Sequence, residues 1–419
     1  MNLPGFGAAL ALVVAIGFTI AIVAPAIRRS GLGLVHPIAV WLALEVWFLG
    51  VGSTVLAIVE GTVGPAMYLG ACLVAAALGS AAAARVTEGW SPAPTRQVPV
   101  QLETGRWRWV PLALAVGAVA LVLPILARTG LPLLAEDATG ARVEIAGLVV
   151  QPLRVALPGL VGLLVLAVAA RRPITGRRGL DVAVIVAAVG FLIALASRYL
   201  AVEMLAVVLI AWMLAGRPLP VRALAAAGLS AAIAFVGVGL ARAPAEIGAD
   251  PIASTIGRTA SRLFLIQPRT LAALQEAIPA ETPYFGGLTW LRQIGPLVGR
   301  DDIPNLGYWI YPRVVDGEQA VAGYAAPGLI GEAWANLGPL GIALFAAFGA
   351  ALALAGELVA RNRQRAVDVV AGALVVLFLA RTHALGLLGV GVLIALIVGW
   401  RLLAARVSVS RPEPSQDRT

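Results

Sequence analysis

Glu332 and Asn336 stand four residues apart in the stretch GYAAPGLIGEAWANLGPLGIALFAAFGA, Gly323 to Ala350, where a polar segment runs into an apolar one with no charge after Glu332. Four residues is about one helical turn, so in a helix the two side chains share a face. A carboxylate at such a lip can act as a general base and take the proton of an attacking hydroxyl. It can equally serve as a helix-terminal charge or an arginine partner, with Gly338 and Gly341 only permitting close helix contact. His383 is the second candidate base, two residues from Arg381 in FLARTHALG; a histidine at a helix end also reads as structural.

The arginines point to an anionic partner. Arg142 follows LPLLAEDATGA, Arg198 lies in ALASRYLAVE between two apolar runs, and Arg381 separates the last two. Each alone reads as a side chain snorkelling to lipid phosphates. Taken together, and with Arg262 and its neighbours in a long polar segment, they suit one diphosphate, because guanidinium binds phosphate in a bidentate way. The same segment holds Tyr284, Trp290, Arg292, Tyr308, Trp309 and Arg313. Aromatic faces interleaved with arginine suit a sugar-binding surface, although an interfacial aromatic belt has a similar composition. No metal-ligand cluster or disulfide framework is legible, and the lone Cys72 reads as packing. The expectation is no metal and no cofactor.

The elements that must position these residues are set by the solvent. With 60% hydrophobic and 13% charged residues, and a mean hydropathy of +0.91, the chain reads as an all-α polytopic membrane protein, its partner the lipid bilayer. Apolar runs predict about eleven transmembrane helices, near 7–27, 35–58, 64–84, 109–127, 154–170, 181–197, 200–216, 223–241, 339–360, 367–381 and 384–403. The first is too long for a cleaved signal peptide and lacks a basic start and cleavage site. No internal repeat is visible, which weighs against an inverted-repeat transporter.

Every basic residue is arginine, and nineteen of the 31 fall in alternate loops, which puts the N-terminus outside and the C-terminus inside. The net charge of +9 is therefore mainly a topological signal, and no nucleic-acid partner is expected. The expected organisation is helices one to eight over 1–241, a large external loop over 242–337 that contains helices, helices nine to eleven over 338–403, and a disordered cytoplasmic tail over 404–419. Within the loop, SRLFLIQPRTLAALQEAI keeps Leu263, Ile266, Leu271, Leu274 and Ile278 near helical spacing. That amphipathic helix either lies on the outer membrane surface or caps a cavity between the spans.

Four stretches carry a family resemblance: GLPLLAEDATGARVE, ASRYLAVEMLAVVLIAWML, YFGGLTWLRQIGPLVGRDDIP and PGLIGEAWANLGPLGIALFAAFGA. Over about residues 125–385 the chain resembles the oligosaccharide repeat-unit polymerases, the O-antigen polymerase (Wzy-type) family, which is related to the O-antigen ligases. The last stretch is the most specific of the four. The Arg-x10-Gly spacing of some members' outer loops is absent here. The resemblance implies a GT-C-like fold in the bacterial cytoplasmic (inner) membrane. It also implies inverting glycosyl transfer from a polyprenyl-diphosphate-linked oligosaccharide at the outer face, in company with other polysaccharide assembly proteins. In that scheme Glu332 or His383 is the base, Arg142, Arg198, Arg262 and Arg381 hold the diphosphate, and Tyr284, Trp290, Arg292, Tyr308, Trp309 and Arg313 hold glycan. A ligase that passes glycan to another acceptor, and an exporter or flippase of lipid-linked glycan, are the competing readings.

Overall fold

The computed structural model describes residues 2–89, 109–132, 150–195, 198–217, 261, 264–291, 303–314, 325–362 and 365–380, which form helices and turns with no strand among them. In chain order the main helices are α1 (Leu3–Ser30), α2 (Pro37–Glu60, with two π-helical turns), α3 (Gly64–Val86), α4 (Val110–Thr129), α5 (Val150–Ala169), α6 (Arg178–Ala194) and α7 (Arg198–Leu214). They continue with α8 (Ile266–Ala277), α9 (Leu306–Val314), α10 (Gly328–Leu337), α11 (Gly341–Arg361) and α12 (Ala366–Ala380). Among the described residues five helical stretches are long and apolar enough to cross a bilayer: α1, α2, α3, α4, and α10 with α11 taken together. Shorter apolar helices fall in α5, α7 and α12. The expected spans near 223–241 and 384–403 and the tail lie outside the described residues.

Local chemistry sets the helix ends. Asn2 accepts the Gly5 N–H at 3.2 Å and Pro4 occupies the first turn of α1, where a missing N–H costs nothing. His36 caps α2, its Nδ1 accepting from the Ile38 N–H at 3.3 Å, and is almost fully buried beneath Gly356 of α11.

Two packing styles build the bundle. In the first half, α3 and α11 meet backbone to backbone: a Cβ on Gly79 would strike the Ala346 carbonyl, and a Cβ on Gly349 would strike that of Ala76. Small residues let membrane helices approach this closely. Trp41 of α2 fills the neighbouring space, stacked on Phe345 at 6.1 Å and edge-on to Phe348 at 5.5 Å. The second half, α4 to α7 with α12, is an aliphatic core around Leu153, Leu164, Leu192, Val207, Val370 and Leu374. Helix α12 joins the halves by packing against α2, α7 and α11.

One end of the bundle is strongly basic. Arg29 of α1 donates to the Ala84 carbonyl at 2.9 Å and to Thr87 Oγ1 at 3.0 Å, and pairs with buried Glu357 of α11 at 3.6 Å. Arg217, after α7, donates to the Ala169 carbonyl at the end of α5. Among the described residues this end carries Arg28, Arg29, Arg85, Arg171, Arg172, Arg177, Arg178, Arg217, Arg361 and Arg365 against Glu88, Asp181, Glu357 and Asp368.

Candidate functional site

The opposite end of the first half carries the candidate site, seated on glycines. The segment entering α8 rests on α2, where a Cβ at Gly52 would strike the Phe264 carbonyl, and Gln275 of α8 lies over Gly64 at the start of α3. Arg269 of α8 pairs with Glu60 at 2.9 Å. The amphipathic helix is therefore docked across the ends of α2 and α3, with Leu271, Leu274 and Ile278 fully buried.

Helix α10 lies beside α8 and stops at Gly338, whose φ of +58° belongs to the left-handed region that glycine tolerates. A 3-10 turn, Gly338–Leu340, then redirects the chain into α11. The notch is filled by aromatic rings. Tyr284 lies where a Cβ on Gly338 would be, and the Tyr68 hydroxyl of α3 donates to the Gly338 carbonyl at 3.1 Å. Trp334 stands between them, 5.1 Å from the Tyr68 ring and 6.3 Å from that of Tyr284, and its Nε1–H donates to the Ile278 carbonyl at 3.3 Å.

Asn336 explains why an amide sits here. Its Oδ1 accepts from the Gly287 N–H at 3.0 Å and from the Thr289 N–H at 3.4 Å. Its Nδ2 donates to Thr289 Oγ1 at 2.6 Å and to the Glu332 carbonyl at 2.8 Å. Two acceptor and two donor sites are thereby satisfied in a residue that is 1% exposed. The backbone adds Phe285 N–H to Ala335 O and Gly286 N–H to Asn336 O, which satisfy free carbonyls at the end of α10. Gly286 and Gly287, with φ of +59° and +91°, make the tight turn that lays the segment against the helix.

Glu332 lies one turn before Asn336 and is buried, with 8% of its surface exposed. The preceding Gly331 packs 3.2 Å from Leu274 Cδ1 of α8, measured from where its Cβ would stand. The helix that bears Glu332 is thus held from one side by α8 and from the other by the 285–289 segment.

Of the expected glycan residues, Tyr284, Trp290, Tyr308, Trp309 and Arg313 lie on the same unit. Trp290 packs on Gly287, and Tyr284 fills the notch with its ring partly exposed. Helix α9 buries Leu306 and Ile310 against α8 and carries Trp309, whose ring meets Phe285 edge-on at 6.0 Å. Arg313 lies over Trp309 at 4.9 Å and pairs with Glu281 at 2.6 Å, and Tyr308 is exposed on the same helix. Arg313 is therefore a stacked and paired cation. Arg142, Arg262, Arg292, Arg381 and His383 lie outside the described residues; Arg198 opens α7, with its side chain outside them. Sequence reasoning missed Tyr68 and Thr289. Tyr68 offered one signal, a tyrosine near one end of a span, while Thr289 offered none.

No family model, curated protein or solved structure matches the chain.

Proposed function

We propose that this protein is a membrane glycosyltransferase of the O-antigen polymerase (Wzy) type. It joins polyprenyl-diphosphate-linked oligosaccharide repeat units into a cell-surface polysaccharide at the outer face of the bacterial cytoplasmic membrane. In this reading it has about eleven spans in a GT-C-like arrangement, with the N-terminus outside and the C-terminus inside. The charge asymmetry supports that orientation, since the end crowded with arginine is the one expected to face the cytoplasm.

The observation that carries the reading is the lip at the opposite end: buried Glu332, clamped through Asn336 beside Tyr284 and Trp290. A carboxylate shielded from bulk water next to an aromatic ledge suits proton removal from a sugar hydroxyl held by stacking. The hydroxyl oxygen of the acceptor sugar bonds to the donor's anomeric carbon, and the bond from that carbon to the diphosphate oxygen breaks. The electron pair leaves with the lipid diphosphate, and the hydroxyl proton passes to Glu332. Arg142, Arg198, Arg262 and Arg381 are assigned to the charge developing on the leaving group, a task arginine performs by bidentate contact.

The test is to incubate purified protein in lipid with a polyprenyl-diphosphate oligosaccharide and look for a ladder of longer glycans. Glu332→Gln should still bind donor while extension falls by about a hundred- to ten-thousand-fold. A near-normal ladder from that variant transfers the base to His383, tested by His383→Asn. If the unaltered protein makes no ladder while consuming donor onto another acceptor, the polymerase reading fails in favour of a ligase.

A further inference from the structure

The turn RRPITGRR, Arg171 to Arg178, joins α5 to α6 at the basic end and displays four exposed arginines. It is an ordered structure. Asp181, with none of its surface exposed, accepts from the Ile174 N–H at 2.9 Å, the Thr175 N–H at 3.0 Å and Thr175 Oγ1–H at 2.6 Å. Asp181 is thus committed to holding the turn's backbone, and among the described residues none of the four arginines makes an ion pair. On the α5 side, the Arg171 and Arg172 amides close the helix onto Val168 and Ala167, and Arg217 caps the Ala169 carbonyl.

Arg171 is the one non-glycine residue with positive φ among the described residues, at +58°. Left-handed backbone costs a side chain about 1–2 kcal/mol relative to glycine. An arginine stands at this position despite that cost, and a use for its side chain would offset it.

What lies beneath the arginines determines the occupant. Helix α6 begins at Arg178, and Val182, Val186 and Gly190 follow at four-residue spacing, all exposed, with Ala183 and Ala187 beside them. Guanidinium charge and a bare apolar ridge therefore share one helix face, over about 18 Å from Arg178 to Gly190 at 1.5 Å per residue. A free phosphate would use the charge and leave the ridge bare. A lipid with an anionic headgroup satisfies both, its phosphate among the arginines and an acyl chain along the ridge. We propose that the α5–α6 turn and the Val182–Gly190 face form a binding site for an anionic phospholipid, at the end of the bundle opposite the candidate catalytic lip.

The test uses the full chain in nanodiscs of phosphatidylcholine with a minor fraction of spin-labelled phosphatidylglycerol, reading the immobilised fraction by electron paramagnetic resonance. The unaltered protein should prefer phosphatidylglycerol over labelled phosphatidylcholine. Replacing Arg171, Arg172, Arg177 and Arg178 together by Gln should lower that preference by about tenfold or more, because each arginine near an anionic surface contributes attraction. The control pair Arg28→Gln and Arg85→Gln, at the same end but on α1 and α3, helices that do not carry the ridge, should change it less than about twofold. Arg171→Gly relieves the backbone, so it should be as stable as the parent in a thermal melt yet hold phosphatidylglycerol about two- to threefold less well. An unchanged preference in the four-site variant overturns the proposal. An equal loss in the control pair also overturns it, since diffuse charge would then suffice. Displacement of the labelled lipid by inorganic phosphate at about 10 mM, with ionic strength held constant, would show that the site takes the free anion instead.

Discussion

The two halves of the bundle contrast in how their helices are spaced. Around α3 and α11 the spacing is set by glycine, with main-chain atoms of one helix lying where a Cβ of the other would be. Around α4 to α7 and α12 it is set by leucine and valine; Gly159 and Gly162 would place a Cβ at ordinary contact distance, 3.4–3.6 Å from Leu374 and Val370, and Gly117 and Gly190 face no atom within 4 Å. The half without side-chain slack is the one that carries α8, α10 and Glu332. Glu332, Tyr284 and Trp334 are therefore carried by the half whose helices meet main chain to main chain.

The largest effect that can break this contrast is at the α3–α11 contact. Gly349→Leu forces the helices apart and should cost at least about 3 kcal/mol, enough to remove most folded protein from a detergent gel-filtration profile. Gly159→Leu, in the aliphatic half, should leave a clear monodisperse peak. Equal loss in both would erase the distinction.

Next comes the clamp. Asn336→Leu strands the Gly287 and Thr289 amides and should destabilise the lip by about 2–4 kcal/mol, seen as faster hydrogen exchange at those two amides with the α4–α7 half unchanged. Gly338→Ala combines left-handed strain with a clash against the Tyr284 ring and should cost about 2–3 kcal/mol in thermal stability. Tyr284→Ala should recover the part that comes from the ring, which a double-mutant cycle reads directly. Smallest is Gly117→Ala on α4, expected to be neutral or stabilising by up to about 1 kcal/mol, since the new methyl meets nothing.

Much of the helical layout was legible because an apolar run must satisfy its own backbone in hydrocarbon. The run expected near 64–84 is α3, Gly64–Val86, and the one expected near 339–360 is α11, Gly341–Arg361. The spacing of Leu271, Leu274 and Ile278 disclosed α8, but its seat depends on Gly52 and Gly64, some two hundred residues away, and periodicity carries no such information. The proximity of Glu332 and Asn336 followed from their four-residue interval. The role of Asn336 did not, since its partners Gly287 and Thr289 are 49 and 47 residues distant and nothing local marks them. Arginine counts distinguished the two ends of the bundle, whereas the pairing of Arg313 with Glu281 and its stacking on Trp309 required coordinates.

The paired glycines of α3 and α11 also act as a ratchet tooth and its notch. Each helix presents a carbonyl ridge to the other's glycine, so axial slip by even one residue, about 1.5 Å, would bring the ridge under a side chain. Piston and screw motions of α11 are therefore blocked. The height of α11 against α3 is fixed, and above Gly341 the chain turns through Gly338–Leu340. The 3-10 turn is thus the joint between a helix locked in height and α10, which carries Glu332 and is tied to the 285–289 segment.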